Sequence, residues 1–235
     1  MENIIALIPA RMGSSRFPGK PMEKILGKPM IGHVYDQVRK NASLSSTFVA
    51  TCDNEIADYI QSIKGKVIMT SISHEHACDR TAEAMLKIEA NSKRKIDIVV
   101  MIQGDEPMVT PSMIEASICP FSDPKVNVVN LMSKIDSINE FEDPNEPKVV
   151  IDKNHDAIYF SREPIPSRKK GVDEVPMYKQ VCIIPFRRDY LLKFNEMPET
   201  DLERIESIDM NRIIENGHKV RMVEINEKIY SVDTE

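Results

Sequence analysis

The chain alternates short apolar runs with helix-length segments, and this constrains its fold more than any other feature. Apolar runs at residues 4–8, 47–51, 67–70 and 98–102 are separated by helical patterns at 30–40, 55–63, 79–89 and 111–117. Short apolar runs that each lead into a helix predict an α/β fold, a Rossmann-like, mostly parallel sheet with helices on both faces. In such sheets ligands bind beyond the carboxyl ends of the strands. Segments 11–20, 52–53, 70–80 and 103–107 all fall there, so four loops are expected to converge on one crevice.

From about residue 127 the pattern changes to strands at 126–131, 148–151, 157–161 and 181–185, with turns at Asp143-Pro144-Asn145 and Asp152-Lys153-Asn154. This predicts an inserted antiparallel lid, with a mobile, basic surface loop at 167–176. A helix over 202–216, stopped by Gly217, and a strand over 220–225 return the chain. The expected organisation is a single domain, 1–235, with a nucleotide-binding core at 1–125, a lid and substrate-binding subregion at 126–200, and a returning helix and strand at 201–235.

The loop after the first strand runs Ile8-Pro9-Ala10-Arg11-Met12-Gly13-Ser14-Ser15-Arg16-Phe17-Pro18-Gly19-Lys20-Pro21. It offers backbone N–H groups made approachable by Gly13 and Gly19, hydroxyls from Ser14 and Ser15, and cations at Arg11, Arg16 and Lys20. Together these suit a polyanion. The spacing matches neither GxxxxGK[ST] nor GxGxxG, so a nucleotide held in another way is expected. A solvated basic turn is the competing reading, since Gly, Ser and Pro are ordinary turn formers.

At 235 residues the chain is long enough to bury a sizeable core, and 41% apolar with 29% charged residues describes a soluble globular protein. A formal charge of −6 argues against bulk nucleic-acid binding but leaves room for a local anion site. No apolar run reaches membrane-spanning length and no signal peptide is visible, so a cytoplasmic location without membrane partners is expected. Cys52, Cys78, Cys119 and Cys182 are widely separated, which predicts reduced, partly buried thiols. His74 and His76 resemble half a metal site with no third ligand at a suitable spacing, and are read as nucleotide-contact or surface residues.

Gln103-Gly104-Asp105-Glu106-Pro107 places two carboxylates directly after a fully apolar strand. A carboxylate there can hold Mg²⁺, which binds through one or two carboxylates plus substrate phosphates. Asp105 is the first candidate and Asp233, in Ser231-Val232-Asp233-Thr234-Glu235, the second. A basic loop facing acids that bind Mg²⁺ points to phosphoryl or nucleotidyl transfer, in which positioning and charge neutralisation dominate. An acidic turn and disordered terminal charge are the competing readings of the two sites.

These residues resemble the 3-deoxy-manno-octulosonate (Kdo) cytidylyltransferases over essentially the whole chain. That family opens with I-P-A-R-x-x-S-T-R-L-P-x-K-P-L, matched at residues 8–22 with Ser15 and Phe17 as the main conservative changes, and carries Q-G-D-E-P, matched without change at 103–107. K-V-V follows at 148–150, F-S-R-x-x-I-P at 160–166 and V-D-T at 232–234. The resemblance implies a nucleotide-diphospho-sugar transferase fold and transfer of CMP from CTP to the anomeric hydroxyl of an acidic sugar, with release of pyrophosphate. It further implies a Mg²⁺ requirement, a homodimer and a role in surface-glycan synthesis. Position by position, Arg11, Ser14 and Lys20 would hold the triphosphate, and Arg11, Lys20 and Asp105 form the expected catalytic set. Asp105 and Asp233 would ligate Mg²⁺. Ala10, Gly13, Thr70, Asp79, Arg80 and Gln103 complete the expected nucleotide site. Gln103, Arg162, Gln180, Ile184 and Asp209 form the expected sugar site.

The sequence departs from the family pattern at several of these places. H-x-S-G-T-D-R becomes His74-Glu75-His76-Ala77-Cys78-Asp79-Arg80, beside the nucleotide base. H-x-G-x-Y-A-Y-R becomes residues 180–187, with Gln180 for His and Ile184-Pro185 for Tyr-Ala. E-S-L-E-Q-L-R becomes residues 206–212, with Asp209 and Met210 for Glu and Gln. Several exchanged hydrogen-bonding groups imply an acceptor with different hydroxyls, because an unmatched buried polar group costs roughly 1–3 kcal/mol. The resemblance also implies a helix following V-D-T, without which Asp233 is expected to fray. Still open are transfer from another nucleotide or to another acceptor, and a nucleotide-binding relative without turnover. The apolar pattern does not locate a dimer interface, and the strand edge at 148–161 is one candidate.

Overall fold

The computed structural model describes residues 2–13, 17–172 and 174–229. In chain order its strands are β1 (Ile4–Pro9), β2 (Lys24–Ile25), β3 (Lys28–Pro29), β4 (Ser46–Thr51), β5 (Val67–Met69), β6 (Ile98–Ile102), β7 (Val129–Lys134), β8 (Lys148–Ile151), β9 (Ala157–Ser161), β10 (Tyr178–Val181), β11 (Ile183–Arg187) and β12 (Arg221–Ile225). The helices are α1 (Met30–Val38), α2 (Asn54–Ser62), α3 (Ala77–Ser92), α4 (Pro111–Ile118), α5 (Ile138–Glu142), α6 (Arg188–Glu196), α7 (Asp201–Glu206) and α8 (Met210–Glu215).

The first sheet has the order β11-β6-β1-β4-β5. Its β1, β4, β5 and β6 are parallel, and β11 is added antiparallel to β6. Both faces of β1 are buried: Ile4, Ala6 and Ile8 join one hydrophobic cluster with α1, α2 and α4, while Ile5 and Leu7 join another with α3 and α6. Burial on both faces is why these strands read as continuous apolar runs. The second sheet has the order β12-β7-β10-β8-β9. It is antiparallel except for the parallel pair of β7 and β12, so the strand expected to return the chain completes this sheet.

Two sequence expectations are corrected here. The single strand at 181–185 is two strands: β10 lies in the second sheet, β11 in the first, and Cys182 is the crossover. The helix over 202–216 is broken into α7 and α8 at Ser207, whose φ of 54° is left-handed. The break lets Arg212 of α8 fold back onto Glu203 of α7, with bonds of 2.5 and 2.7 Å between buried side chains. The edge at 148–161 is not open along its length: the Phe160 amide and carbonyl both bond to the Asn211 side chain, and the Ala157 amide donates to Val220 O. Neighbouring chain has taken up backbone groups that an intermolecular strand would need.

Candidate active site

β1 ends at Pro9, and hydrogen bonds tie down the loop beyond it. The Met12 amide donates to Asp53 Oδ2 at 2.8 Å, and the Gly19 amide donates to Met12 O at 2.9 Å. Gly19 has a φ of 79°, a conformation that favours glycine, and it delivers Lys20 to the crevice. Beyond β6 the chain turns at Gly104, where a Cβ would lie 3.3 Å from Ile31 Cδ1 and 3.4 Å from Pro9 O. The missing side chain brings the ends of β1 and β6 close together. Lys20 Nζ and Asp105 Oδ2 meet at 2.7 Å, with their side chains 12% and 21% exposed.

A cavity of about 650 Å³ opens over this junction. Ala10, Arg11, Gly13, Lys20, Arg80, Gln103 and Asp105 line it, together with Glu75 and His76. A second cavity of about 180 Å³ adjoins it, lined by Glu106, Glu146, Gln180, Cys182 and Asp209 among others. Gln103, Asp105, Asn145, Arg162 and Ser207 line both, so the two spaces share a wall. One is large, with cations at its floor; the other is small and bordered by acids and an amide. Such a pair can hold two reactants side by side with Asp105 between them.

Arg162 is fixed by its surroundings. Its Nε donates to Glu206 O at 2.6 Å, Nη1 to Pro144 O at 2.8 Å and Nη2 to Ser207 O at 3.3 Å, while its amide donates to Glu206 Oε2 at 2.8 Å. Glu206 Oε1 also accepts from Tyr159 OH at 2.6 Å and Ser161 Oγ at 2.8 Å. Burial would raise the Glu206 pKa, but these donors outweigh it and hold the carboxyl below its ordinary 4.5. Asp209 behaves oppositely: burial raises its pKa, against a bond from Cys78 Sγ at 3.3 Å. The Cys78 thiol is pushed well above its ordinary range by burial and then by Asp209, which suits an inert thiol.

The other expected site residues fall in different places. Thr70 is buried behind the first cavity and accepts from Arg80 Nη1 at 2.5 Å, orienting that guanidinium. Asp79 is half-buried in the first turn of α3 and lines neither cavity. Ile184 does not line them either: β11 is buried on both sides, and Ile184 packs at 1% exposure with Met101 and Phe186. The crossover at Cys182 places it in the core, away from both cavities, where it cannot take the role expected of it. Ser14 and Asp233 lie outside the described residues. His74 pairs with Glu83 at 2.6 Å and His76 with Glu199 at 3.0 Å. Cys119 is exposed, unlike the other thiols. Sequence reasoning missed Asn145, Glu146 and Ser207 as wall residues, because the turn and the helix break that present them depend on tertiary contacts.

Comparison with known proteins places this architecture. A family model described as Cytidylyltransferase matches residues 5–229. The 3-deoxy-manno-octulosonate cytidylyltransferase of Geobacter metallireducens is 41% identical over 98% of this chain and 93% of its own length. The enzyme of the same name from Syntrophus aciditrophicus is 39% identical over 100% of this chain and 94% of its own. A solved structure of CMP:2-keto-3-deoxy-manno-octonic acid synthetase complexed with CTP superimposes with a TM-score of 0.89 at 38% identity, covering 99% of this chain and 94% of that one. A 4-diphosphocytidyl-2C-methyl-D-erythritol synthase from Anaerococcus prevotii shares the fold alone, with a TM-score of 0.64 at 16% identity over 99% of this chain and 91% of that one. With nearly the full length matched and two cavities meeting at the strand ends, the chain belongs to the 3-deoxy-manno-octulosonate cytidylyltransferase family of nucleotidyltransferases.

Proposed function

We propose that this enzyme transfers CMP from CTP to the anomeric hydroxyl of Kdo, releasing pyrophosphate and yielding an activated sugar for surface-glycan synthesis. The observation that carries this reading is the shared wall: Gln103, Asp105 and Arg162 border both a large cavity with a cationic floor and a small polar one. CTP fits the former and the sugar acid the latter. Arg11 and Lys20 bind the triphosphate and offset the charge that grows on departing pyrophosphate. Arg80, oriented by Thr70, borders the nucleotide, and Arg162 faces the acidic sugar from the common wall. Holding the two reactants across that wall replaces a bimolecular encounter with an oriented one.

The donor set fits Mg²⁺ bound with its substrate. Among the described residues no group of three or more His, Cys, Asp or Glu side chains forms a metal cage. Asp105 presents a carboxylate to the cationic cavity, as expected for an ion that takes much of its coordination from phosphates. Asp105 would hold it, with Asp233 as the second proposed ligand. When bound, Mg²⁺ neutralises phosphate charge and orients the α-phosphate.

We propose a homodimer as well, with exposed apolar surface available at Ile158 and Ile205, 55% and 74% exposed; sedimentation velocity tests it. A cytoplasmic location is also proposed, with the support that no helix among the described residues is long and apolar enough to cross a membrane.

The deciding experiment is pyrophosphate release with Mg²⁺ and each nucleoside triphosphate, using Kdo, 8-amino-Kdo, a nine-carbon sialic acid or no acceptor. Release with CTP and Kdo is expected. Release only with another nucleotide or another acid refutes the assignment of that cavity's ligand.

A further inference from the structure

Behind the second cavity lies a chain of amides whose orientation is fixed by backbone carbonyls. Asn130 on β7 is fully buried. Its Nδ2 donates to Val181 O at 2.7 Å and Leu131 O at 2.9 Å, using both amide protons. Asn130 Oδ1 is therefore an acceptor, and it takes a bond from Gln180 Nε2 at 2.7 Å. That assigns the Gln180 amide in turn: its nitrogen points at Asn130 and its oxygen points away. Gln180 is 9% exposed and lines the second cavity, and Oε1 has no bond among the described residues while not being sealed from solvent.

We propose that Gln180 is a specificity-determining residue, held by Asn130 so that Oε1 accepts a hydrogen bond from one hydroxyl of the sugar acid. This rests on the assignment of the second cavity to the acceptor and adds the atom that reads it. An amide free to flip could serve a donor or an acceptor equally well. This one cannot flip without setting its oxygen against Asn130 Oδ1. Asp209 lines the same cavity with another oxygen-bearing group, so this end of the site disfavours a carboxylate and receives the hydroxyl-bearing end of the acceptor. Asn130 touches no substrate and acts as a positioning residue.

The test crosses enzyme variants with substrate variants. Wild type, Gln180→Met and Asn130→Ser are assayed with Kdo and with analogues lacking each hydroxyl in turn, the anomeric one excepted. The wild type is expected to lose about tenfold in kcat/KM on one analogue, the value of one matched hydrogen bond. Gln180→Met keeps the length but not the acceptor, and is expected to treat that analogue and Kdo within about twofold while KM for CTP is unchanged. Asn130→Ser is expected to lose the same discrimination with Gln180 still present. Full wild-type discrimination in Gln180→Met at every position overturns the proposal, and the same result in Asn130→Ser overturns the positioning role. Should the buried Ser variant fail to fold, the Met variant decides alone. Failure of the wild type to use Kdo at all overturns both this and the reading it rests on, whereas turnover without the crossed effect overturns only this one.

Discussion

Replacing Glu206 by Gln isolates what one buried charge contributes to the structure that holds Arg162. The carboxylate accepts the Arg162 amide at 2.8 Å, Tyr159 OH at 2.6 Å and Ser161 Oγ at 2.8 Å. Glutamine can keep the first bond with its oxygen and turn its NH₂ toward the hydroxyls, and Tyr159 can rotate to accept. Ser161 Oγ already accepts the Glu163 amide at 3.0 Å, so its own proton loses its partner. Each bond to a charged acceptor is worth about 1 kcal/mol more than its neutral counterpart. Against the loss of roughly 3 kcal/mol stands the burial cost of the charge, which glutamine does not carry, leaving a net destabilisation of about 2 kcal/mol. For a chain of this size that lowers Tm by roughly 4–8 °C. The pH dependence follows from the depressed carboxyl. Its stabilising effect is complete above its ordinary value of 4.5 and is lost as pH falls through the lower folded value, because protonation removes the charge the donors favour. Thermal melts of both proteins from pH 7 downward should show the gap closing as pH falls below the ordinary carboxyl value of 4.5. A Tm difference under about 1 °C at pH 7, or a gap of constant size down to the lowest pH, refutes the reasoning.

Lys20→Ala and Asp105→Ala should each lower turnover at least about 100-fold while moving Tm by less than about 4 °C, since the pair lies at a cavity wall and its loss opens no core; steady-state kinetics and melting on the same samples check this, and unfolding instead would contradict it. Arg212→Met should cost about 3–5 kcal/mol by stranding the buried Glu203 carboxylate, and Glu203→Leu with Arg212→Met should recover most of it; urea titration measures both. Burial would raise the pKa of Glu83, but Lys87, the Ser71 amide and His74 together bring it from 4.5 to about 2. Its support of the 71–74 loop is present above pH 4.5 and fades as pH falls toward 2, so Glu83→Gln should destabilise the protein at neutral pH and not at the acid end, as melting curves at several pH values will show.

The first hundred residues were legible because strands buried on both faces, such as 98–102, have no polar alternation to confuse them with anything else. The later strands misled for the same reason. An unbroken apolar run from Val181 to Pro185 carries no mark that the chain changes sheets at Cys182, since both destinations are interior. Residues 202–216 have a helical pattern throughout, and nothing in it marks the left-handed turn at Ser207, which accompanies the bond of Glu206 to the distant Arg162 amide and the folding back of Arg212 onto Glu203. That Lys20 and Asp105 meet at one cavity was readable because loop position and charge sufficed. Asn130 and Glu206 were not, because each works through groups far away in sequence. Ile184 was misplaced because a pattern of residues does not say which of two sheets a strand enters.

The two sheets also differ in when they can form. β1, β4, β5 and β6 all lie within the first 102 residues, so every strand of the parallel part of the first sheet has been made before the second sheet's strands begin. The second sheet waits for β12, at residues 221–225, which pairs with β7 and bridges back to Asp156. A ribosome releasing this chain therefore delivers the loop after β1 long before β12. Stalled or truncated products would carry half a site, with the apolar face of β7 uncovered and open to chaperones and proteases.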